Sequence, residues 1–239
     1  MGQRSLNQEN NLQQEIEIIS ITQVYKYCDI WCPWKENQFD ISRELKKWHV
    51  TEESNKWINF YCCQQRWMKL LFTNLDDQTQ YEGERPIIII PCSEELMKVK
   101  KKYAHNHYGP EIGKIQAVQQ ICGDSKICEK PCFKIIQDAQ TFVITIDKNS
   151  LSQYCLRQCC LPHSNILYNI HEKMPNSNSY LRIGSIYVNF QGIFKEYCTR
   201  GDLFTMHIPK NLNEETKILL IFGCLQLNYQ EYEQMINLP

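Results

Sequence analysis

Short stretches in which apolar and polar residues alternate recur along most of the chain. The clearest is residues 141–147, where Phe142, Ile144 and Ile146 share one face of an extended segment and Thr141, Val143 and Thr145 share the other. Similar patterns predict strands at residues 15–18, 67–72, 132–137, 166–170, 181–190 and 204–208. Clusters of turn-forming residues at 74–77, 83–86, 147–150 and 175–179 separate these strands. Many short strands with frequent turns are typical of a β-sandwich or a β-barrel.

One segment near the C-terminus has the features of a helix instead. Asn213 is suited to cap the first turn, and Glu214 and Glu215 favour the positive end of the helix dipole. Residues 218–225 are apolar on every side of such a helix, which indicates burial in protein or in lipid. A membrane span requires about 20 apolar residues, and Gln226 ends this run well before that length. The pattern therefore predicts a helix buried inside a barrel.

The composition is that of a soluble globular protein. Of the 239 residues, 43% are hydrophobic and 22% are charged, and the net charge is −1. We interpret residues 1–14 as a polar N-terminal tail and residues 15–239 as one domain. The near-neutral charge disfavours a nucleic-acid partner. The first fifteen residues lack the charged start and apolar centre of a secretory signal, which predicts an intracellular protein with reduced thiols.

The 13 cysteines are numerous for a chain with reduced thiols. Cys155, Cys159, Cys160 and His163 have the donor types that suit zinc. Their spacing differs from that of the usual zinc-binding pairs, and no second pair has a matching spacing. Packing of cysteine as a small buried hydrophobic residue is the simpler interpretation. We therefore predict neither a catalytic site nor a metal centre from these residues.

Two further segments suggest ligands only superficially. Residues 109–114 resemble a phosphate-binding loop, but the loop is one residue short and Ile115 stands where a Ser or Thr is required to hold magnesium. Residues 98–102 form a lysine-rich run. This run is interpreted as a solvated strand end or loop, with contact to an anionic membrane leaflet as the alternative.

Several motifs together carry a resemblance that extends from about residue 16 to residue 233. In chain order they are Glu84-Arg85-Pro86, residues 112–116 (IGKIQ), residues 133–138 (FKIIQD), Cys155 with Cys159 and Cys160, and residues 204–209 (FTMHIP). The apolar segment follows them. In this order and spacing the chain resembles the phospholipid scramblase family. The resemblance implies a mainly β, tubby-like fold, in which one closed antiparallel barrel is wrapped around a central hydrophobic C-terminal helix. The implied activity is calcium-stimulated, energy-independent movement of phospholipids between bilayer leaflets.

The resemblance also implies a calcium-binding loop around the strand at residues 204–208. Asp202, Asn211 and Asn213 correspond to its oxygen ligands. Calcium prefers several oxygen ligands with carboxylates among them, but Asn stands at two positions where the family usually has Asp. Arg200 stands at a further acidic position, where its charge repels a cation. Calcium is the one cofactor that the sequence suggests. These substitutions predict that the protein no longer depends on it.

Acylated cysteines help to hold members of this family on membranes. In this chain the cysteine cluster that follows Arg85-Pro86 is reduced to Cys92, and Cys159 and Cys160 are further candidates for acylation. A single acyl chain gives only marginal and reversible anchoring. The resemblance therefore implies association with the reducing, cytosol-type face of an intracellular membrane.

Two functional hypotheses follow from these observations. The first is a membrane-associated, scramblase-like protein whose partners are phospholipids. The second is an inert member of the same fold that serves as a structural or accessory subunit of a larger assembly, with a partner that orders the tail of residues 1–14. The loss of calcium ligands and of acylation sites favours the second, whereas the extent of the resemblance favours the first. Fold alone does not decide between them, because function resides in sites.

Overall fold

The strands form one closed barrel in which each strand pairs with its neighbours in the sequence. The computed structural model describes residues 15–24, 36–54, 67–75, 78–86, 95–103, 108–118, 131–150, 165–175, 177–189 and 203–229. Twelve strands follow one another around the barrel, all pairs are antiparallel, and β1 pairs with β12 to close it. The predicted closed antiparallel barrel with a C-terminal helix is thus confirmed.

Four of the seven strands predicted from the sequence are longer than their patterns suggest, and the other three have the predicted length. The twelve strands of the barrel have the following bounds. They are β1 (Ile16–Gln23), β2 (Gln38–Arg43), β3 (Lys46–Ser54), β4 (Met68–Thr73), β5 (Thr79–Arg85), β6 (Glu95–Lys102), β7 (Tyr108–Ala117), β8 (Pro131–Gln137), β9 (Gln140–Ile146), β10 (Ile166–Lys173), β11 (Tyr180–Asn189) and β12 (Leu203–Pro209). A short 3₁₀ helix follows β9 at Lys148–Ser150, and helix α1 occupies Glu214–Leu227. The alternation pattern did not predict β2, β3, β5, β6 and β7.

Successive strands run in opposite directions, so their connections fall at two ends of the barrel. The upper end, as we name it, holds the β2–β3, β4–β5, β6–β7, β8–β9 and β10–β11 connections, the first residue of β1 and the turn from β12 into α1. The lower end holds the remaining connections and the last turn of α1. The helix therefore begins at the upper end and runs through the barrel to the lower end.

The alternation of the strands separates a buried inner face from the outside. Phe204, Met206 and Ile208 of β12 are buried while Thr205 and His207 between them are partly exposed, as predicted. Strand β9 differs because its outer face is also covered. Val143 and Thr145 are buried there, where they pair in register with His171 and Asn169 of β10. An alternating sequence thus has both of its faces buried at this place in the barrel.

Two glycines allow the helix to lie close to the barrel wall. The predicted turn at residues 83–86 is wrong, because Gly83 lies within β5 and faces the helix. A Cβ atom added to Gly83 would come within 2.7 Å of Cε1 of Phe222, and one added to Gly113 within 2.7 Å of a methyl carbon of Leu219. Real side chains do not approach so closely. These glycines therefore serve helix packing, and Gly113 belongs to strand β7 rather than to a phosphate-binding loop.

Helix α1 fills the lumen, as its uniformly apolar surface predicts. Asn213 caps it, since its side-chain oxygen accepts a hydrogen bond from the backbone N–H of Thr216 at 2.6 Å. Every residue from Thr216 to Tyr229 is buried. Within the described ranges, no helix combines the length and the apolar character needed to cross a bilayer.

Gln226 is an exception to the apolar character of the lumen. It is fully buried, and neither its amide oxygen nor its amide nitrogen has a hydrogen-bond partner among the described residues. An unpaired buried polar group destabilises a protein by about 1–3 kcal/mol, whereas an apolar replacement of similar shape avoids that loss. The helix therefore carries a polar side chain that does not contribute to folding through hydrogen bonds.

We expect Gln226→Met to raise the free energy of unfolding by about 1 kcal/mol, because it removes the unpaired amide at nearly constant volume. Urea denaturation would measure this change. Gln137→Met is the matched control, because the Gln137 side-chain oxygen accepts a hydrogen bond from the Thr216 hydroxyl at 2.5 Å and its loss should destabilise the barrel. A clear loss of stability in Gln226→Met would contradict the prediction and would indicate a bound water molecule at the amide.

Candidate functional site

The predicted calcium ligands that the structure describes lie in the turn between β12 and α1. Asn211 is exposed in this turn. The side-chain oxygen of Asn213 is already engaged as the helix cap. Asp202 lies outside the described residues. Among the described residues, no group of three or more His, Cys, Asp or Glu side chains is arranged to hold a metal ion.

Strand β12 separates the two halves of the proposed calcium loop. The strand runs from Leu203 to Pro209, and at about 3.3 Å per residue its ends lie roughly 20 Å apart. Calcium binds its ligands at about 2.3–2.6 Å. Asn211 and Asn213 follow the upper end of this strand, and Asp202 comes directly before the strand in the sequence.

A buried ionic cluster, which sequence reasoning did not identify, ties the first turn of α1 to the barrel wall. Nζ of Lys217 lies 2.7 Å from Oε2 of Glu17, and Nε of Arg43 lies 3.4 Å from Oε1 of the same carboxylate. These three side chains are each less than 9% exposed. Nη1 of Arg43 also lies 2.8 Å from Oε2 of Glu214. We call Glu17, Arg43, Lys217 and Glu214 the ionic cluster.

Additional contacts satisfy the buried cations of this cluster. Nζ of Lys217 donates to the backbone carbonyl of Lys210 at 2.8 Å. The guanidinium of Arg43 lies 4.9 Å from the centre of the Trp48 ring, within the range of a cation–π contact. Because each charge has a close partner, the cluster can be buried without leaving an isolated ion. Its chemistry is structural, since it closes the upper end of the lumen around the helix.

Exposed ion pairs surround this cluster at the upper end. A hydrogen bond to Glu215, whose oxygen lies 3.3 Å away, raises the pKa of Lys101. A hydrogen bond to Glu15 raises the pKa of Lys210, which also lies 3.6 Å from Glu44. These side chains are substantially exposed, so each pair contributes little to stability. The acids of the upper end are thus largely matched by cations within ion pairs.

The lower end closes through a different set of contacts. The Tyr229 hydroxyl donates to Oε2 of the buried Glu52 at 3.1 Å, and the side-chain amide of Asn37 donates to the same oxygen at 2.8 Å. The rings of Phe39 and Tyr229 meet edge to face at 6.1 Å. The helix is therefore held at both ends by polar contacts and along its length by apolar packing.

The cysteine candidates fall mostly outside the part of the chain that the structure describes. Cys92, Cys159 and Cys160, the acylation candidates, lie outside the described residues, as do Cys155 and His163 of the zinc alternative. Cys224 is described, and it is buried in helix α1 and is in no disulfide bond. For Cys224, packing as a small hydrophobic residue is confirmed.

The ionic cluster left a weak signal in the sequence. In β1, Glu17 occupies the same inward face as Ile19 and Ile21. In the helix, Lys217 directly precedes the apolar run. An acid at an inward strand position and a base on a buried helix are each costly alone, and together they suggest a buried pair. The sequence did not show that these residues meet.

Comparison with models of protein families identifies the family of the chain. The family model described as Scramblase matches residues 3–234, which is nearly the whole chain. Searches of curated proteins and of solved structures found no significant match. The matched span includes every strand of the barrel and the whole of helix α1. The chain therefore belongs to the scramblase family.

Proposed function

We propose that this protein associates with the cytosol-type face of an intracellular membrane and moves phospholipids between the two leaflets without a requirement for calcium. The observation that carries the proposal is the family match over residues 3–234. Lipid movement of this kind makes and breaks no covalent bond, so the proposal needs no catalytic side chain. The reducing face is favoured by the 13 cysteines.

The loss of calcium dependence is supported by the chemistry of the upper turn. Asn213 uses its side-chain oxygen to cap α1, and a neutral amide is in any case a weaker calcium ligand than a carboxylate. The intervening strand β12, which is roughly 20 Å long, also disfavours a single compact set of ligands. Arg200 adds a positive charge to the sequence of the loop.

The filled lumen supports a lipid path outside the barrel rather than through it. Leu219, Phe222 and Leu225 of α1 are fully buried against the inner wall. A phospholipid headgroup could not pass along the described lumen unless the helix left it, which would expose this whole apolar core to water. We therefore propose that lipids meet the outer surface or an end of the barrel.

The alternative function is that of an accessory subunit that keeps the fold and has lost the activity. The substitutions in the calcium loop and the reduced cysteine cluster after Arg85 favour it. The fold itself suits such a role because the apolar packing of α1 and the ionic cluster close its core. In this alternative a partner protein orders residues 1–14, and the protein co-purifies with a complex of fixed stoichiometry.

Reconstitution of the purified full chain into liposomes that contain a fluorescent phospholipid would test the proposal. We expect lipid exchange above that of protein-free liposomes, and less than about a twofold change between calcium and a chelator, because the loop lacks a carboxylate-rich ligand set. Asp202→Ala should leave the rate unchanged. Clear stimulation by micromolar calcium that Asp202→Ala abolishes would contradict the calcium-independent proposal. No exchange under any condition would favour the accessory subunit.

A further inference from the structure

Exposed apolar side chains gather at the upper end of the barrel. Among the described residues, all large hydrophobic side chains that are 40% exposed or more lie there. They include Leu45, which is 97% exposed at the tip of the β2–β3 hairpin, and Ile16 and Ile18, which are 62% and 52% exposed on the outer face of β1. Met174 and Leu181, 40% and 54% exposed, flank the β10–β11 turn. Leu75 and Tyr103 lie in the connections after β4 and β6.

Five of these side chains occupy one continuous sector of the barrel. The strands β10, β11, β12, β1, β2 and β3 are neighbours in that order around the closed sheet. They carry Ile16, Ile18, Leu45, Met174 and Leu181 at their upper ends. Single exposed apolar residues are common on protein surfaces, but several on one side of a molecule mark an interaction surface.

Cations flank the apolar residues of the same sector. Lys46 and Lys47 follow Leu45, Lys173 precedes Met174, and Arg182 follows Leu181. These four side chains are exposed, and none lies within ion-pair distance of an acid in the described part of the chain. Arg182 interacts at longer range with Asp147, where its charge helps to lower the pKa of that carboxyl. Nearby, Glu15 and Glu44 are paired with Lys210, and Glu172 is half-buried. The sector thus combines projecting apolar residues with a surplus of positive charge.

Outside the sector the same end has a different character. Leu75 is followed in the chain by Asp76 and Asp77, and the β8–β9 turn presents Asp138. Lys101 next to Tyr103 is paired with Glu215. Lys102, which directly precedes Tyr103, is partly exposed, but it accompanies a single exposed aromatic ring. Among the described residues, the grouping of several exposed apolar side chains with several cations is therefore found in the sector.

We propose that this sector is the surface by which the protein docks on an anionic phospholipid bilayer. Leu45, Leu181 and the two isoleucines would enter the boundary between headgroups and acyl chains. Lys46, Lys47, Lys173 and Arg182 would contact lipid phosphates, as long basic side chains do at such an interface. The inference deepens the proposed membrane function and rests on it. The same surface would also suit an acidic protein partner with exposed apolar residues. The test must therefore distinguish membrane binding from protein binding.

The docking sector also fixes an orientation. With the upper end on the membrane, the lower end of the barrel faces away from it. Cys92, Cys159 and Cys160 lie outside the described residues, and acyl chains on them would add a second membrane contact. Protein produced without acylation therefore isolates the contribution of the sector.

Co-sedimentation of the unacylated full chain with vesicles provides the test. We expect binding to phosphatidylcholine vesicles that contain phosphatidylserine, with weaker binding at high salt and on pure phosphatidylcholine. Leu45→Ser combined with Leu181→Ser, and separately Lys46→Glu combined with Lys47→Glu, should each reduce partitioning by roughly tenfold or more. All four positions are exposed, so the variants should retain the melting temperature of the unmodified protein.

Two control variants lie outside the sector. Leu75→Ser removes a more exposed leucine than Leu181 from the same end, and Lys148→Glu reverses an exposed cation beside β9 at the lower end. Both should bind vesicles as the unmodified protein does. Absence of vesicle binding, or equal losses in the sector and control variants, would overturn the proposal. The sector variants could instead abolish self-association or complex formation that occurs without vesicles. That result would also overturn the proposal, and it would identify the sector as a protein-binding surface.

The binding assay separates this inference from the proposed function. Sector-dependent vesicle binding without lipid exchange in liposomes would retain the docking surface and refute the scrambling activity. Lipid exchange that is unchanged in the sector variants would retain the activity and refute the docking surface.

Discussion

Replacement of Leu220 with Lys is expected to unfold the protein. Leu220 is fully buried in the middle of α1, inside the barrel. A charged side chain at this position would have no partner of opposite charge nearby, and burial of an unpaired charge costs several kcal/mol. Domains of this size are stable by only about 5–15 kcal/mol. The substitution should therefore remove most of the stability of the fold.

Circular dichroism and urea denaturation would show the effect directly. Leu220→Met is the matched control, because it keeps the apolar character and nearly the volume of the side chain and should cost less than about 1.5 kcal/mol. If Leu220→Lys retained the melting temperature of the unmodified protein, the helix would not occupy the lumen in solution. The same result would favour the alternative that the apolar helix α1 is buried in lipid outside the barrel.

The sequence predicted the elements in which local pattern and final environment agree. Strand β12 alternates because one of its faces is buried, and α1 is apolar on every side because it is enclosed on every side. The cap at Asn213 followed from the same kind of local argument, because a capping side chain acts only on the first turn of its own helix.

The residues of the strands that were not predicted are determined by contacts with residues distant in the sequence. Gly83 resembled part of a turn and Gly113 part of a phosphate-binding loop, yet both are strand residues that make room for Phe222 and Leu219 of α1. Strand β6 is rich in lysine on the side that faces solvent, while Met97 and Val99 face the core. The strand positions that require a glycine are determined by a helix more than 100 residues later in the chain. No local sequence pattern contains that information.

The ionic cluster could not be predicted from the sequence for the same reason. Glu17 lies in the first strand and Lys217 in the last helix, and only closure of the barrel between β1 and β12 brings them together. The candidate calcium residue Asn213 shows the converse, because its side-chain oxygen acts only on the first turn of the helix that follows it.

Replacement of Glu17 with Met should be the most damaging change in the ionic cluster. Glu17 is the acidic partner of two buried cations, and its loss would leave Lys217 with only the carbonyl of Lys210. Removal of one member of a buried pair typically costs about 3–5 kcal/mol, because it leaves an uncompensated charge. We therefore expect a large fall in the free energy of unfolding.

The double variant Glu17→Met with Lys217→Met distinguishes pairing from simple packing. Buried ion pairs can often be replaced by apolar residues at little cost, so the double variant should regain much of the stability that Glu17→Met loses. Arg43 would keep its contact with Glu214.

Glu215→Met is the control for an exposed pair and should cost at most about 1 kcal/mol, since solvent screens the Lys101–Glu215 contact. Urea denaturation of the four proteins that form the Glu17/Lys217 double-mutant cycle, together with this control, would measure the coupling. If the effects of the two single substitutions simply added, Glu17 and Lys217 would act independently, and the ionic cluster would not be the contact that holds the start of α1 in the barrel.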